Sequence, residues 1–232
     1  MPIKDNIKNK IVTNQKVRYN ENGENMKKKK IEYGDRWFYR LIKPLLIFLI
    51  YTLYRPTVVG RENIPKEGPL VLAGNHTKWL DPETLCAVVR RRQVHFLAKI
   101  ELFKGPSHII TWGMGAIPVN RKIHDHGALD YAIEALKNGL CIGIFPEGTI
   151  NRTDDVIMPF KIGAVKMSKE ANATLVPFAI TGEYKLFRKG IKIEFLKPIE
   201  VEDDLNKTNQ KLMDAVSKKL IEGGRTHGTK RK

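Results

Sequence analysis

Between Arg55 and Glu222 the chain alternates short apolar runs with longer segments of helical spacing, and this alternation limits the fold more than any other feature. Strands are predicted at Leu70–Ala73, Val94–Ala98, Ala116–Asn120, Leu140–Phe145, Thr174–Thr181 and Lys192–Ile199. Helices are predicted at Pro82–Arg91, Gly127–Lys137, Phe160–Ala171 and Asp203–Glu222. Such a pattern predicts an α/β fold: a mixed, largely parallel sheet flanked by helices, in which the last strands are free to pair antiparallel. No internal repeat or interdomain linker interrupts the block, so residues 57–222 are expected to form one domain. A chain of 232 residues, 42% of them hydrophobic, can bury a core without disulfide or metal staples. Its two cysteines, Cys86 and Cys141, sit among apolar neighbours and are expected to be small core residues, with a reducing compartment as the default.

Charge narrows the partners. The net charge is +16, and ten of those charges lie in the tails: residues 1–30 carry net +6 and residues 223–232 net +4. Both tails are too poor in apolar residues to offset ordering entropy and are expected to be disordered. Met26, which opens MKKKKIEYGDRW, reads as a plausible alternative start, so residues 1–25 are expected to be dispensable for activity. An excess of this size attracts polyanions: nucleic acid, an anionic membrane surface or phosphorylated substrates.

Residues 31–56 are expected to form a membrane-associated helical segment. Pro44–Tyr54 is uncharged over eleven residues. As a helix that run covers about 16 Å, against a hydrocarbon core of about 30 Å, so it is too short to span. No small-residue cleavage site follows it, which excludes a secretory signal. Aromatic and cationic flanks, with Lys27–Lys30 upstream, fit a helix lying in the interface; a buried core helix is the other reading.

Chemistry concentrates in the loops that leave predicted strands. The first strand is followed by Gly74-Asn75-His76-Thr77-Lys78-Trp79-Leu80-Asp81-Pro82. Asp81-Pro82-Glu83-Thr84 reads as a helix N-cap with proline at the first helical position. If the loop closes, His76 and Asp81 converge. The carboxylate then fixes the imidazole tautomer and balances the imidazolium, leaving the ring to act as a base. The loop offers no Ser or Cys to acylate, so the base would act on a substrate hydroxyl. The other histidines, His95, His108, His124, His126 and His227, are read as structural.

Asn75-His76-x4-Asp81 resembles the NHx4D motif of the glycerophospholipid acyltransferase family, typified by 1-acyl-glycerol-3-phosphate acyltransferases. Three more blocks follow in the family's order: Gly115-Ala116-Ile117-Pro118-Val119-Asn120-Arg121, then Phe145-Pro146-Glu147-Gly148-Thr149, then Val176-Pro177-Phe178-Ala179-Ile180. Lys99-x-Glu101-Leu102-Phe103 and Phe160-Lys161-x-Gly163-Ala164 are similar to family segments between them. The likeness covers roughly residues 57–198. It departs at position 150, where Ile stands in place of the family's Arg; Arg152, two residues on, is a candidate substitute cation.

The resemblance implies a glycerol-3-phosphate acyltransferase-like fold and an O-acyltransferase of phospholipid biosynthesis, with His76 and Asp81 catalytic. It implies that Glu147, Gly148 and Thr149 bind the glycerol-phosphate acceptor. Lys99, Gly115, Arg121 and Lys161 complete the expected substrate-binding set, since Arg suits bidentate phosphate recognition and Lys supplies a point charge. The expected partners are a lysophospholipid, an acyl thioester (acyl-CoA or acyl-carrier protein) and a membrane surface at the cytoplasmic face, with no metal and no cofactor. His76→Ala and Asp81→Ala are expected to fold normally. Alternatives are the same chemistry on another lysophospholipid, a nucleic-acid-binding protein and a silent membrane scaffold. The nucleic-acid reading lacks any binding motif in the folded block.

Overall fold

The computed structural model describes residues 36–103, 111, 113–119 and 126–225. The expected tail 1–30, the candidate start at Met26, Arg121 and residues 226–232 lie outside them. Helix α1 (Arg36–Leu53) comes first. Then follow β1 (Thr57–Val59), β2 (Leu70–Gly74), α2 (Asp81–Val88), β3 (Val94–Lys99), β4 (Ile117–Val119), α3 (His126–Lys137), β5 (Cys141–Ile144), α4 (Gly163–Glu170), β6 (Thr174–Gly182), β7 (Ile191–Phe195) and α5 (Leu205–Glu222).

The seven strands described form one sheet in the order β1-β7-β6-β2-β5-β3-β4. All its pairings are parallel except β6 with β7, where Ile180 faces Ile193. The predicted α/β architecture with late antiparallel pairing is the one observed. β1 was not legible in the sequence. It is three residues long, and only β7, supplied from the far end of the chain, makes it a strand.

Strand β2 lies in the middle and is fully buried along its length. Its residues alternate between the two faces of the sheet, as a strand buried on both sides must. Leu70 and Leu72 pack with α2; Val71 and Ala73 pack with α3, α4 and α5. The neighbouring parallel strands β2 and β5 therefore send their following helices to opposite faces. A crevice opens at the carboxyl edge of a sheet where connections diverge in this way, and ligands of open α/β sheets bind there.

Helix α1 runs unbroken through Pro44, which is exposed together with Arg40. Pro44 removes one N–H from the helix ladder on the exposed side of the helix, where it costs least. On the inner side the Lys43 ammonium donates to the carbonyls of Val89 and Arg92, each at 2.8 Å, and so ties α1 to the C-terminal end of α2. The outer side carries Leu41, Leu45, Phe48 and Leu49, all exposed, at the spacing of one helical stripe. No described helix is long and apolar enough to cross a membrane. Cys86 and Cys141 are 1% exposed, and burial pushes both thiols up, Cys141 to about 12. They are inert core residues, as expected.

Candidate active site

The loop after β2 closes as the sequence predicts, and the way it closes corrects the reading of Asp81. The side chain of Asp81 does not cap α2. It is 0% exposed and points back into its own loop, where five donors converge on it. Oδ2 accepts from His76 Nδ1 at 2.9 Å, Lys78 N–H at 2.8 Å and Thr77 N–H at 2.5 Å; Oδ1 accepts from the Thr77 hydroxyl at 3.0 Å and the Tyr184 hydroxyl at 2.8 Å. Asp81 is itself the first helical residue, despite preceding a proline. Backbone takes over the first turn: the Leu80 carbonyl accepts from the N–H and the hydroxyl of Thr84. Asp81→Ala is therefore expected to lower stability as well as activity, because it removes the acceptor of two backbone N–H groups.

His76 is fixed from three directions. Asp81 holds Nδ1. The ring stacks on Phe145, the last residue before the turn after β5, with centroids 4.2 Å apart and planes 16° apart. Phe145 in turn stacks on Phe96 and meets Phe178 edge-on. The backbone is held as well: His76 N–H donates to Glu147 Oε1 at 2.8 Å, and the His76 carbonyl accepts from Asn151 N–H at 3.1 Å. The imidazole keeps 17% of its surface exposed, so it is held yet reachable.

Asn75, next to it, is 0% exposed and replaces a strand residue. Its side-chain amide donates to the Ile180 carbonyl at 2.9 Å, and its side-chain oxygen accepts from Ile180 N–H at 2.8 Å. The β2–β6 ladder ends at Gly74 and Phe178. Asn75 thus extends the pairing by one side chain while the main chain turns away to present His76.

The other site residues fall into two groups. Glu147 is 3% exposed, and its two carboxylate oxygens accept from His76 N–H and Met158 N–H. It sutures three chain segments together. Gly148 takes φ 76, which an L side chain rarely adopts, and a Cβ there would meet the Lys161 ammonium at 2.8 Å. Lys161, anchored by its N–H to the Pro146 carbonyl, therefore stands over the turn as the cation nearest Gly148. It precedes α4, which begins at Gly163 rather than at Phe160. Thr149 and Arg152 are exposed on the same loop, where Asn151 organises the backbone: its side-chain oxygen accepts from Thr153 N–H at 2.9 Å. Lys99 closes β3 on the same edge of the sheet. Gly115 does not join this group. It precedes β4, at the amino edge, where it takes φ 71 and its carbonyl accepts from His95 Nδ1 at 2.8 Å.

Two residues were not legible as parts of the site. Tyr184 lies more than one hundred positions beyond Asp81, on the turn after β6, and its hydroxyl also makes a 3.1 Å bond with the Thr84 hydroxyl. Burial and the Asp81 charge push its pKa far up, so it stays a protonated donor. Glu83, in the first turn of α2, is also pushed up, chiefly by burial, and its Oε2 is buried without a hydrogen-bond partner among the described residues. Among the described residues no group of three or more His, Cys, Asp or Glu side chains is placed to hold a metal ion.

Comparison with known proteins gives the arrangement its relatives. Residues 55–181 match the family model described as Acyltransferase. The chain is 31% identical over 173 residues to a 1-acyl-sn-glycerol-3-phosphate acyltransferase of Bacillus subtilis, covering 70% of this chain and 83% of that one. It is 29% identical over 218 residues to the enzyme of the same name from Streptococcus pneumoniae, covering 88% and 76%. In fold it is similar to the crystal structure of the 1-acyl-sn-glycerophosphate acyltransferase of Thermotoga maritima, with a TM-score of 0.64 and 22% identity over 81% of this chain and 78% of that one.

Proposed function

The chain belongs to the acyltransferase family, and we propose that it moves a fatty acyl group from an acyl thioester to the free hydroxyl of 1-acyl-glycerol 3-phosphate, forming phosphatidate. The observation that carries the mechanism is the 2.9 Å contact between His76 Nδ1 and Asp81 Oδ2 beneath a partly exposed ring. His76 Nε2 takes the hydroxyl proton as the oxygen attacks the thioester carbonyl. The tetrahedral oxyanion collapses, the carbon–sulfur bond breaks, and the departing thiolate takes the proton back from the imidazolium. Asp81 balances the imidazolium charge, and because its carboxylate is already saturated with donors it needs no reorganisation to do so. The donor is acyl-CoA or acyl-carrier protein.

Tyr184 is a positioning residue: its hydroxyl holds Asp81 Oδ1, and so acts through Asp81 on the ring. Lys161 over Gly148 supplies positive charge where the family places the acceptor, with Thr149 and Arg152 alongside. Lys99, at the same edge, and Arg121 are the further cations proposed for the acceptor phosphate. Glu147 serves the acceptor indirectly, by fixing the loop that carries Gly148.

Residues 57–222 form the acyltransferase domain, and α1 seats it on the cytoplasmic face of the membrane as a peripheral or monotopic protein. Its exposed stripe Leu41, Leu45, Phe48 and Leu49 is the apolar contact, joined by exposed Trp79 on the His76 loop. One experiment tests the whole reading: purified protein, lysophosphatidate and an acyl thioester, with phosphatidate followed by mass. No phosphatidate from either donor, while another lysophospholipid is acylated, transfers the reading to that acceptor.

A further inference from the structure

We propose that the amino edge of the sheet carries a second anion site, which holds the phosphate of a membrane phospholipid other than the one being acylated. The site is a cavity of about 380 Å³ between the turn after β1 and the C-terminal end of α2. Arg61, Lys66, Arg90, Arg91 and Arg92 line it, with Glu62 as the one acidic side chain in its wall. It precedes β2, whereas His76 follows β2. Five residues of strand separate the two, about 16 Å at the usual rise.

Two kinds of cation build this wall. Arg92 is structural: it is 9% exposed, and its guanidinium donates to the carbonyls of Gly68 at 2.6 Å, Gly139 at 2.7 Å and Pro65 at 3.4 Å. The other four have no carboxylate within 4 Å among the described residues. Elsewhere on this chain lysines pair with acids freely, as Lys207 and Lys211 do with Glu202. Two guanidinium groups are also pre-oriented. Arg61 donates to the Tyr51 hydroxyl, and Arg90 lies over the Tyr51 ring, 5.4 Å from its centroid. Arg61 Nε is buried and has no hydrogen-bond acceptor among the described residues. Cations gathered around a cavity, held by an aromatic ring and left without counter-charges repel one another, and an anion bound among them relieves that repulsion. Planar forks favour the tetrahedral oxygens of a phosphate.

A lipid is the source because of where Tyr51 sits. It belongs to α1, which carries the exposed apolar stripe on its outer side and is not long and apolar enough to cross a bilayer. A phospholipid places its phosphate at the interface and its chains beside that stripe, so one molecule satisfies both features. The site would fix how the enzyme lies on an anionic leaflet.

The test is vesicle binding. Wild-type protein, Arg90→Ala/Arg91→Ala, Arg90→Lys/Arg91→Lys and the control Lys137→Ala/Lys218→Ala are sedimented with phosphatidylglycerol–phosphatidylcholine vesicles. All the substituted residues are exposed and outside the acyl-transfer machinery, so activity on a short-chain soluble substrate stays unchanged. The alanine pair is expected to bind about thirty-fold more weakly, two cations each worth a factor of about five near an anionic surface. The lysine pair should lose several-fold and the control pair nothing. Amide NMR shifts of Tyr51 and Val88–Arg91 give the second arm, with monomeric short-chain phosphatidylglycerol and inorganic phosphate as probes. Shifts with the lipid and none with phosphate support the site. Equal shifts with both mark a free-phosphate site and overturn the lipid assignment. A control pair as impaired as the alanine pair, or a lysine pair equal to wild type, reduces the effect to diffuse charge and overturns the proposal.

Discussion

The two ends of α2 treat charge in opposite ways. At its N-terminal end one carboxylate, Asp81, is fully enclosed and accepts from five donors drawn from two places in the chain, the His76–Lys78 loop and Tyr184. At its C-terminal end three consecutive arginines, Arg90, Arg91 and Arg92, gather with Arg61 and Lys66 around a cavity; Arg92 donates to three backbone carbonyls and Arg61 to the Tyr51 hydroxyl, and none of the five has a carboxylate partner within 4 Å among the described residues. A charge that is saturated internally is fixed in place and available for chemistry on a neighbour. A charge left without a partner is available to something outside the chain. The contrast separates a site that reacts from a site that holds, on one helix of eight residues.

The largest expected effect is at the saturated end. His76→Ala should cost about 10²–10⁴-fold in the rate of acyl transfer, the usual worth of a general base, with thermal unfolding almost unchanged. Asp81→Asn should lose a similar factor and also destabilise, because its new amide has to donate where the carboxylate only accepted. Activity within a few-fold of wild type in His76→Ala would erase the distinction between the two ends.

Asn75→Ala comes next. It leaves the N–H and the carbonyl of Ile180 without their buried partners, at about 1–3 kcal/mol each, so chemical denaturation should show a loss of about 2–6 kcal/mol. A loss under about 0.5 kcal/mol would show that water replaces the side chain and that Asn75 does not hold the loop.

Tyr184→Phe sharpens the comparison by removing one donor of five and keeping the ring against Tyr54. A bond to a charged group is worth about 1.5–3 kcal/mol, and Asp81 Oδ1 keeps its bond from Thr77, so a five- to tenfold drop in kcat at constant KM is expected. A purely structural tyrosine would lower stability and leave kcat in place.

The smallest effect is expected at Glu83. Its folded pKa is raised above the ordinary 4.5 by burial, so ionising it opposes folding. The penalty is absent below the unfolded value and grows as the pH rises through the folded one. Glu83→Gln should therefore raise the melting temperature at neutral pH, and the gain should vanish in acid. A gain that persists at low pH would assign it to packing instead.

Legibility in the sequence followed the length scale of each interaction. The α/β pattern, the central strands β2 and β5 and the helices α3 and α5 were readable because apolar periodicity is local. The ends of α4 and β7 were not: Phe160 is buried ahead of the helix, and Ile199 forms only an isolated bridge with Leu175. The sequence also suggested that His76 and Asp81 could meet, since a loop of four residues between them keeps both in reach. It offered Asp81 two roles, helix cap and partner of His76, because a carboxylate before Pro82 looks like a cap until other donors compete for it; of the two, only the contact with His76 is found. Gly115 looked like part of the same site because it stands in a family block, yet it precedes β4 whereas His76 follows β2, and so it falls at the opposite edge of the sheet.

The sequence by itself determined the class of fold, the pair of residues that meet across one loop and the apolar helix ahead of the domain, all of which depend on neighbours within a dozen positions. Tertiary structure alone decided that Tyr184 reaches Asp81, that Phe145 lies under the imidazole, and that arginines from two separate segments converge on Tyr51. These contacts depend on which strands lie side by side. Strand order is set by how helices pack on the two faces of the sheet, a choice made by the whole chain at once.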